Sequence, residues 1–236
     1  MPSLIQGAQQ FNLLLNETQQ QAFGTYRREL MAWNEKINLT RIIAPEEITV
    51  KHFLDSLSLY PLLSDLSPDF SLIDVGTGAG FPGLPLKIVL PGIRLALLES
   101  TRKKTVFLQH IVDTLHLADV TVVTARAEEA GRQPAHRQQY DAAVARAVAV
   151  LPTLAEYMLP LVKVGGLVIV QKGQNPTEEI KSAANALGIL GGKIDQVLPV
   201  EVPGLDAKRH LIVIRKRKPT PKQYPRRPGL PAKKPI

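Results

Sequence analysis

The chain has 236 residues, 44% of them hydrophobic, with no cysteine and a formal net charge of +8. That length holds one large α/β domain with a modest extension, and the lack of cysteine excludes disulfides, thiolate metal sites, iron–sulfur chemistry and a cysteine nucleophile. No uninterrupted apolar run of membrane length is present and no basic-plus-apolar leader begins at Met1, so a soluble cytoplasmic protein without membrane association is expected.

Residues 7–23 are glutamine-rich, and Phe11, Leu14, Leu15 and Thr18 form a thin stripe that predicts a first helix. Tyr26, Leu30, Trp33 and Ile37 recur at offsets 0, 4, 7 and 11, predicting a second helix with Trp33 on its apolar face. Asn38-Leu39-Thr40 breaks that pattern. Pro45-Glu46-Glu47 then opens a helix expected to reach about Tyr60, with proline tolerated in the first turn and the acids favourable against the dipole. His52 and Asp55, three apart, share a face of it.

From Ser71 the rhythm becomes strand, turn and helix. Strands are expected at Leu72–Val75, Leu95–Leu98, Val120–Val123, Tyr140–Ala145, Leu167–Val170, Ile194–Val202 and His210–Arg215. Helices are expected at Pro82–Leu90, from a Ser100 or Thr101 cap to Leu115, at 151–162 and at Pro176–Leu187. Val106, Phe107, His110 and Ile111 are the expected inward positions of the second of these. The alternation predicts an α/β, doubly wound, mostly parallel seven-stranded sheet. The expected divisions are an N-terminal helical extension (1–70), a main domain (71–218) and a basic proline-rich arm (219–236).

Charge is concentrated in that arm. Arg215–Ile236 holds nine Lys or Arg and no acid, leaving a net −1 on residues 1–214, and six prolines oppose helix and central strand there. An extended segment of this kind either follows a phosphate backbone or simply solubilises the chain.

The central motif is Asp74-Val75-Gly76-Thr77-Gly78-Ala79-Gly80-Phe81-Pro82-Gly83. Its glycines let the backbone turn tightly between a buried strand and a helix. Three readings are open: a dinucleotide fingerprint over Gly78–Gly83, the acidic loop of class I methyltransferases that use S-adenosylmethionine, and a structural turn. Asp74 is awkward beside a pyrophosphate and favourable beside a sulfonium or ammonium. In open α/β sheets ligands bind beyond the strand C-termini, where Glu99, Ala127-Glu128 and Arg146 also fall. Glu99, 19 residues after Gly80, suits a ribose diol; Glu128 suits an adenine edge, with Ala127 giving room. The Arg146 guanidinium suits a carboxylate, a phosphate or a guanine acceptor edge. Lys172 and Gln171 are weaker candidates for the same entrance.

Together with Trp33-Asn34-Glu35-Lys36-Ile37-Asn38-Leu39-Thr40, His52-Phe53-Leu54-Asp55-Ser56-Leu57 and Ala145-Arg146-Ala147, this motif resembles the bacterial 16S ribosomal RNA guanine-N7 methyltransferases, also called the glucose-inhibited division protein B family. The resemblance covers almost the whole chain, including the closing segment from Pro221 through Tyr224-Pro225-Arg226-Arg227 to Gly229 and Pro231, and so implies that this segment docks on the body or grips RNA rather than merely solubilising the chain. It implies a monomeric class I enzyme that transfers methyl from S-adenosylmethionine to N7 of a guanosine in the 530 loop of 16S rRNA, conventionally position 527, in the small ribosomal subunit. It points to Gly76, Phe81, Ala127, Glu128 and Arg146 as cofactor contacts. With the strand-end reading, the expected cofactor set is Asp74, Gly76, Thr77, Gly78, Gly80, Phe81, Glu99, Thr101, Ala127, Glu128 and Arg146, with Arg146 also catalytic and no metal. Ala79 and Phe81 stand where relatives carry proline and leucine, exchanges that keep a small turn residue and an apolar wall.

Guanine N7 has an available lone pair, so alignment, exclusion of water and control of charge are the main catalytic tasks. Arg27, Arg28, Lys36, Arg102, Lys103, Lys104, Lys172 and the arm are expected to line the RNA approach. Two alternatives differ in class: a noncatalytic RNA-binding assembly factor on a methyltransferase-like sheet, and a nicotinamide-dependent reductase. S-adenosylmethionine titration tests the second and a methyl-transfer assay the first.

Overall fold

The β-branched and apolar runs form one sheet of seven strands: β1 (Ser71–Val75), β2 (Arg94–Glu99), β3 (Val120–Thr124), β4 (Tyr140–Arg146), β5 (Val162–Lys172), β6 (Gly192–Val200) and β7 (Arg209–Lys216). The structure, a computed structural model, describes residues 3–173 and 175–236; the first two positions of the expected N-terminal extension lie outside it. Strand order is β3-β2-β1-β4-β5-β7-β6, parallel except for β7, which runs antiparallel to both its neighbours. The expected doubly wound sheet is therefore present, and the chain reverses direction from the β1–β2–β3 side to β4 beside β1. Ligand crevices form at such a switch.

Register decides which residues meet there. Asp74 is level with Leu97 on one side and Val144 on the other, Glu99 with Thr124, and Arg146 with Gln171. Because β7 runs the other way, Lys172 pairs with His210, which brings Arg209 to the same edge.

Successive side chains of a strand leave on opposite faces. Leu72, Leu95, Leu97, Val144 and Ile169 join a core with the N-terminal helices, α6 (Gly83–Val89) and α7 (Arg102–Thr114). Ile73, Val75, Leu98, Val168 and Val170 join a second core with the short α8 (Ala127–Ala130), α9 (Leu151–Met158) and α10 (Thr177–Leu190). Covering both faces is what a largely parallel sheet requires.

The N-terminal helices depart from expectation. Instead of helices over 7–23 and 26–37, the chain forms α1 (Leu4–Gln9) and one long α2 (Glu17–Asn34). Asn16 accounts for the break: its side chain accepts from Gln19 N while Gln19 reaches back to Asn16 N, a capping box that starts a new helix. The helix predicted from Pro45 is also divided, into α3 (Pro45–Ile48), a π-helical stretch (Thr49–Leu54) and α4 (Asp55–Leu57), followed by α5 (Tyr60–Leu63). Thr101 is the N-cap of α7, but its hydroxyl makes no capping bond. Val106, expected inward, is 51% exposed, whereas Leu108 beside Phe107 is fully buried.

The basic arm is not free. Arg137 donates to the carbonyls of Thr220 and Tyr224, Arg132 to that of Pro225, and Thr153 to that of Pro231. Arg226 grips buried Glu156 with its side chain and its own N–H. A last short helix, α11 (Leu230–Lys233), rests beside α9. No strand forms among the described residues of the arm, but the expectation of a wholly extended segment is corrected by α11, which tolerates Pro231 because it lies in the first turn. Backbone carbonyls along the rest of the arm receive arginine donors from the body.

Candidate active site at the strand ends

The glycine loop is held from beneath. Gly76 and Thr77 donate their N–H groups to Leu98 O at 2.8 and 3.2 Å. Asp74, fully buried, receives the Thr77 hydroxyl at 2.5 Å and Gly83 N at 2.7 Å, both on Oδ2. Its Oδ1 is buried without a hydrogen-bond partner. Burial raises its pKa to about 6, opposed by the Thr77 and Gly83 bonds and by the Arg146 charge.

Two glycines are fixed by space as well as by backbone angle. At Gly76, φ is +70° and a Cβ would stand 2.8 Å from a Val148 methyl. At Gly80, φ is +100° and a Cβ would stand 2.5 Å from the Tyr26 hydroxyl. The loop is thereby pressed against both α2 and the turn that follows β4.

Above Gly76 lies a cleft of about 240 Å³, bordered by Glu99, Ala127, Glu128, Val148, Tyr157 and Ala232. Glu99 is nearly buried, and its two oxygens accept from Gly78 N at 3.1 Å and Thr101 N at 2.8 Å. Each carboxylate oxygen has two acceptor positions, so beyond these two bonds Glu99 keeps one acceptor position on each oxygen. Glu128, 3% exposed, accepts from Gly229 N at 2.8 Å.

On the other side of the turn lies a cleft of about 390 Å³ lined by Lys51, His52, Arg146, Lys172 and Arg209. At its base Asp55, 2% exposed, binds Arg146 and Arg209 at 2.9 Å each and the Gln171 amide at 2.9 Å. Arg146 also donates to Lys51 O at 3.0 Å and to His52 Nδ1 at 3.2 Å. Three of its five N–H donors are thus engaged, leaving two for a ligand. His52 accepts on Nδ1, so its proton sits on Nε2, which donates to the Thr40 hydroxyl at 2.8 Å. Burial first and the Arg146 charge second lower its pKa to about 3, and it remains neutral.

Ala147, between the two clefts, has φ +56°. A non-glycine residue in that region is strained and persists where its surroundings over-determine it. Here the Val148 methyls against Gly76 and the fastened Arg146 hold the turn from both ends.

The expected residues therefore divide by position. Gly76, Glu99, Ala127 and Glu128 line the first cleft and Arg146 the second. Asp74, Thr77, Gly80 and Phe81 form the buried floor, and Gly78 is half-buried at the rim. Thr101 stands behind Glu99 and orients it through its N–H. Phe81 is stacked between Tyr26 and His52, with the Arg146 guanidinium 5.2 Å from its ring centre. Lys172, expected at the entrance, is tied to Ala149 O and Glu179. Sequence reasoning missed Arg209, which only the antiparallel β7 delivers, and Gly229 and Ala232, more than 100 residues downstream of Glu128. Two roomier hollows, about 480 Å³ beside Phe23 and about 900 Å³ under residues 199–210, hold none of the expected site residues.

Among the described residues no cluster of His, Cys, Asp and Glu suited to a metal ion occurs, and no helix is long and apolar enough to cross a membrane. Residues 19–212 match the family model described as rRNA small subunit methyltransferase G. The ribosomal RNA small subunit methyltransferase G of Acetivibrio thermocellus is 50% identical over 99% of this chain and 95% of that protein. The protein of that name from Roseiflexus castenholzii is 51% identical over the full length of both. In fold, the chain is similar to the geranyl diphosphate C-methyltransferase of Streptomyces coelicolor, with a TM-score of 0.54 at 13% identity over 68% of this chain and 78% of that one. The chain belongs to the rRNA small subunit methyltransferase G family.

Proposed function

We propose that this chain is an S-adenosylmethionine-dependent methyltransferase that modifies N7 of a guanosine in the 530 loop of 16S rRNA, conventional position 527. The observation that carries the reading is identity near 50% to small-subunit rRNA methyltransferases across the full chain. It is supported by two clefts that adjoin at one strained turn, one suited to a nucleoside and one rich in fastened cations.

The residues fit the cofactor. Gly76 provides a surface without a side chain, Glu99 retains acceptor positions for a ribose diol, and Asp74 Oδ1 is an unpartnered buried oxygen suited to a cationic group. In this reading Gly76, Gly78, Glu99, Ala127 and Glu128 hold the nucleoside, Asp74 stabilises the positive end, and Thr77, Gly80, Phe81 and Thr101 keep that surface in shape. When bound, S-adenosylmethionine supplies an electrophilic methyl group on a sulfonium.

The chain's own work is then largely positional. Guanine N7 needs no base, and neutral His52 supplies none; it orients Arg146. Arg146 directs its two remaining donors at the guanosine or its phosphate, and the Phe81 wall excludes water. Lys51 and Arg209 at the rim add sequence-independent attraction for RNA.

The domain reading follows: helices 1–70 form the acceptor-side wall, 71–218 the catalytic sheet, and 219–236 a closing segment. We place the chain as a monomer in the bacterial cytoplasm, acting on the small ribosomal subunit. The test is genetic. A bacterium lacking its own family member should lose the 530-loop N7-methylguanosine by mass spectrometry, and this chain should restore it; failure to restore it with the chain expressed and folded would contradict the reading.

A further inference from the structure

We propose that the C-terminal segment 220–234 is a wall of the cofactor cleft, so that docking of this segment and cofactor binding favour each other. The inference rests on the cofactor reading above and goes beyond it, because the assigned contacts all lie between residues 74 and 146, on the strand ends and the turns and helix starts that follow them.

Three observations meet in this segment. Gly229 N–H donates to Glu128 Oε1 at 2.8 Å, and Glu128 borders the cleft. Ala232, an exposed residue, lines the same cleft as Gly76 and Glu99. The segment is anchored on both sides of these points. Arg226 holds Glu156 through Nε at 3.0 Å and Nη2 at 2.6 Å, and the Arg226 N–H adds a bond at 2.6 Å. Thr153 donates to Pro231 O at 3.1 Å. Glu156 is fully buried, so its carboxylate requires that partner.

These contacts change what the basic tail does. Arg226, partly exposed, commits its guanidinium to buried Glu156 and so serves the docking of the segment. Undocking the segment would open the cleft on the side of Ala232 and release Glu128 from Gly229. A ligand that contacts the docked form more fully shifts the chain toward docking, and reciprocity requires docking to raise ligand affinity by the same factor.

The test uses the full chain and S-adenosylhomocysteine as the probe. Three forms are compared by calorimetry: wild type, a chain ending at Arg227 that keeps the Arg226–Glu156 pair, and Ala232→Trp, which fills the cleft without removing an anchor. Both variants should raise Kd by about tenfold or more, an ordinary size for linkage, with Ala232→Trp melting as wild type without ligand. In wild type, the ligand should slow hydrogen exchange of the 226–234 amides. Wild-type Kd in Ala232→Trp, or tail exchange unaffected by ligand, would overturn the proposal and leave the cofactor reading standing. Absence of binding by folded wild type would overturn both. A truncated chain that does not fold leaves Ala232→Trp and the exchange measurement to decide.

Discussion

The imidazole of His52 lies flat on the ring of Phe81, with centroids 4.4 Å apart and planes 13° from parallel. One face of the histidine is therefore covered by the glycine loop, while its two nitrogens join Thr40 and Arg146. These contacts tie the N-terminal helices to the loop and to Arg146.

A first prediction concerns that histidine. Its folded pKa of about 3 lies below the ordinary value, so it contributes stability above about pH 6.5 that is lost as pH falls toward 3. Methyl transfer should show no ionisation from His52 between pH 5 and 9. His52→Ala should lower kcat/KM by roughly tenfold or more through a loosened Arg146, with the profile keeping its shape. A wild-type inflection near pH 6.5 that vanishes in the variant would contradict this.

Arg146→Ala should separate activity from folding only in part. Asp55 keeps Arg209 and Gln171, so the loss of stability should be about 1–3 kcal/mol rather than the larger cost of an unpaired buried charge. Methyl transfer should fall on the order of 100-fold or more. Arg146→Lys should recover little, because a single ammonium cannot reach Asp55, Lys51 O and a ligand together. Denaturant melts and turnover on small subunits measure the two effects.

Asp74 is a pH-sensitive element of the loop. Its carboxyl titrates near 6 in the fold and near 3.8 when unfolded, so its contribution is intact below about pH 4, declines to pH 6 and then stays level, a cost of about 3 kcal/mol. A cationic ligand favours the ionised form, so S-adenosylmethionine affinity should rise with pH through 6. Asp74→Asn should melt no lower than wild type at pH 7, yet bind about tenfold more weakly and without that pH dependence. Calorimetric titrations from pH 5 to 8 decide it.

Gly76→Ala should disturb loop and cleft together. The positive φ costs about 1–2 kcal/mol, and the added methyl meets Val148 at 2.8 Å. Combining it with Val148→Ala should restore the steric part of the stability loss and leave the backbone part. Thermal melts of the two single variants and the double variant measure the split; equal loss with and without Val148→Ala would contradict the steric account.

The strands and their ends were legible because local pattern and burial agree there. Leu72–Val75 is a short, mostly apolar run buried on both faces, and the glycine loop carries its turn chemistry in its own residues, so the positions of Asp74, Gly76 and Glu99 follow from a few adjacent letters. The break at Asn16 was missed although the Asn16–Gln19 capping box is local; the glutamine-rich stripe masked it. The π-helical turn at His52 has no propensity signature and depends on Phe81 and Arg146 packing against it. Arg209 and Ala232 were out of reach for another reason: each arrives by topology, one on an antiparallel strand and one on a returning tail. Position in the chain alone cannot announce such neighbours.

The most direct measurement is transfer of labelled methyl from S-adenosylmethionine to small ribosomal subunits that lack their native modifications, followed by mapping of the labelled nucleotide. The account predicts a single N7-methylguanosine in the 530 loop. No incorporation into subunits or naked rRNA by a folded chain that binds the cofactor, or label at a different atom or nucleotide, would contradict it.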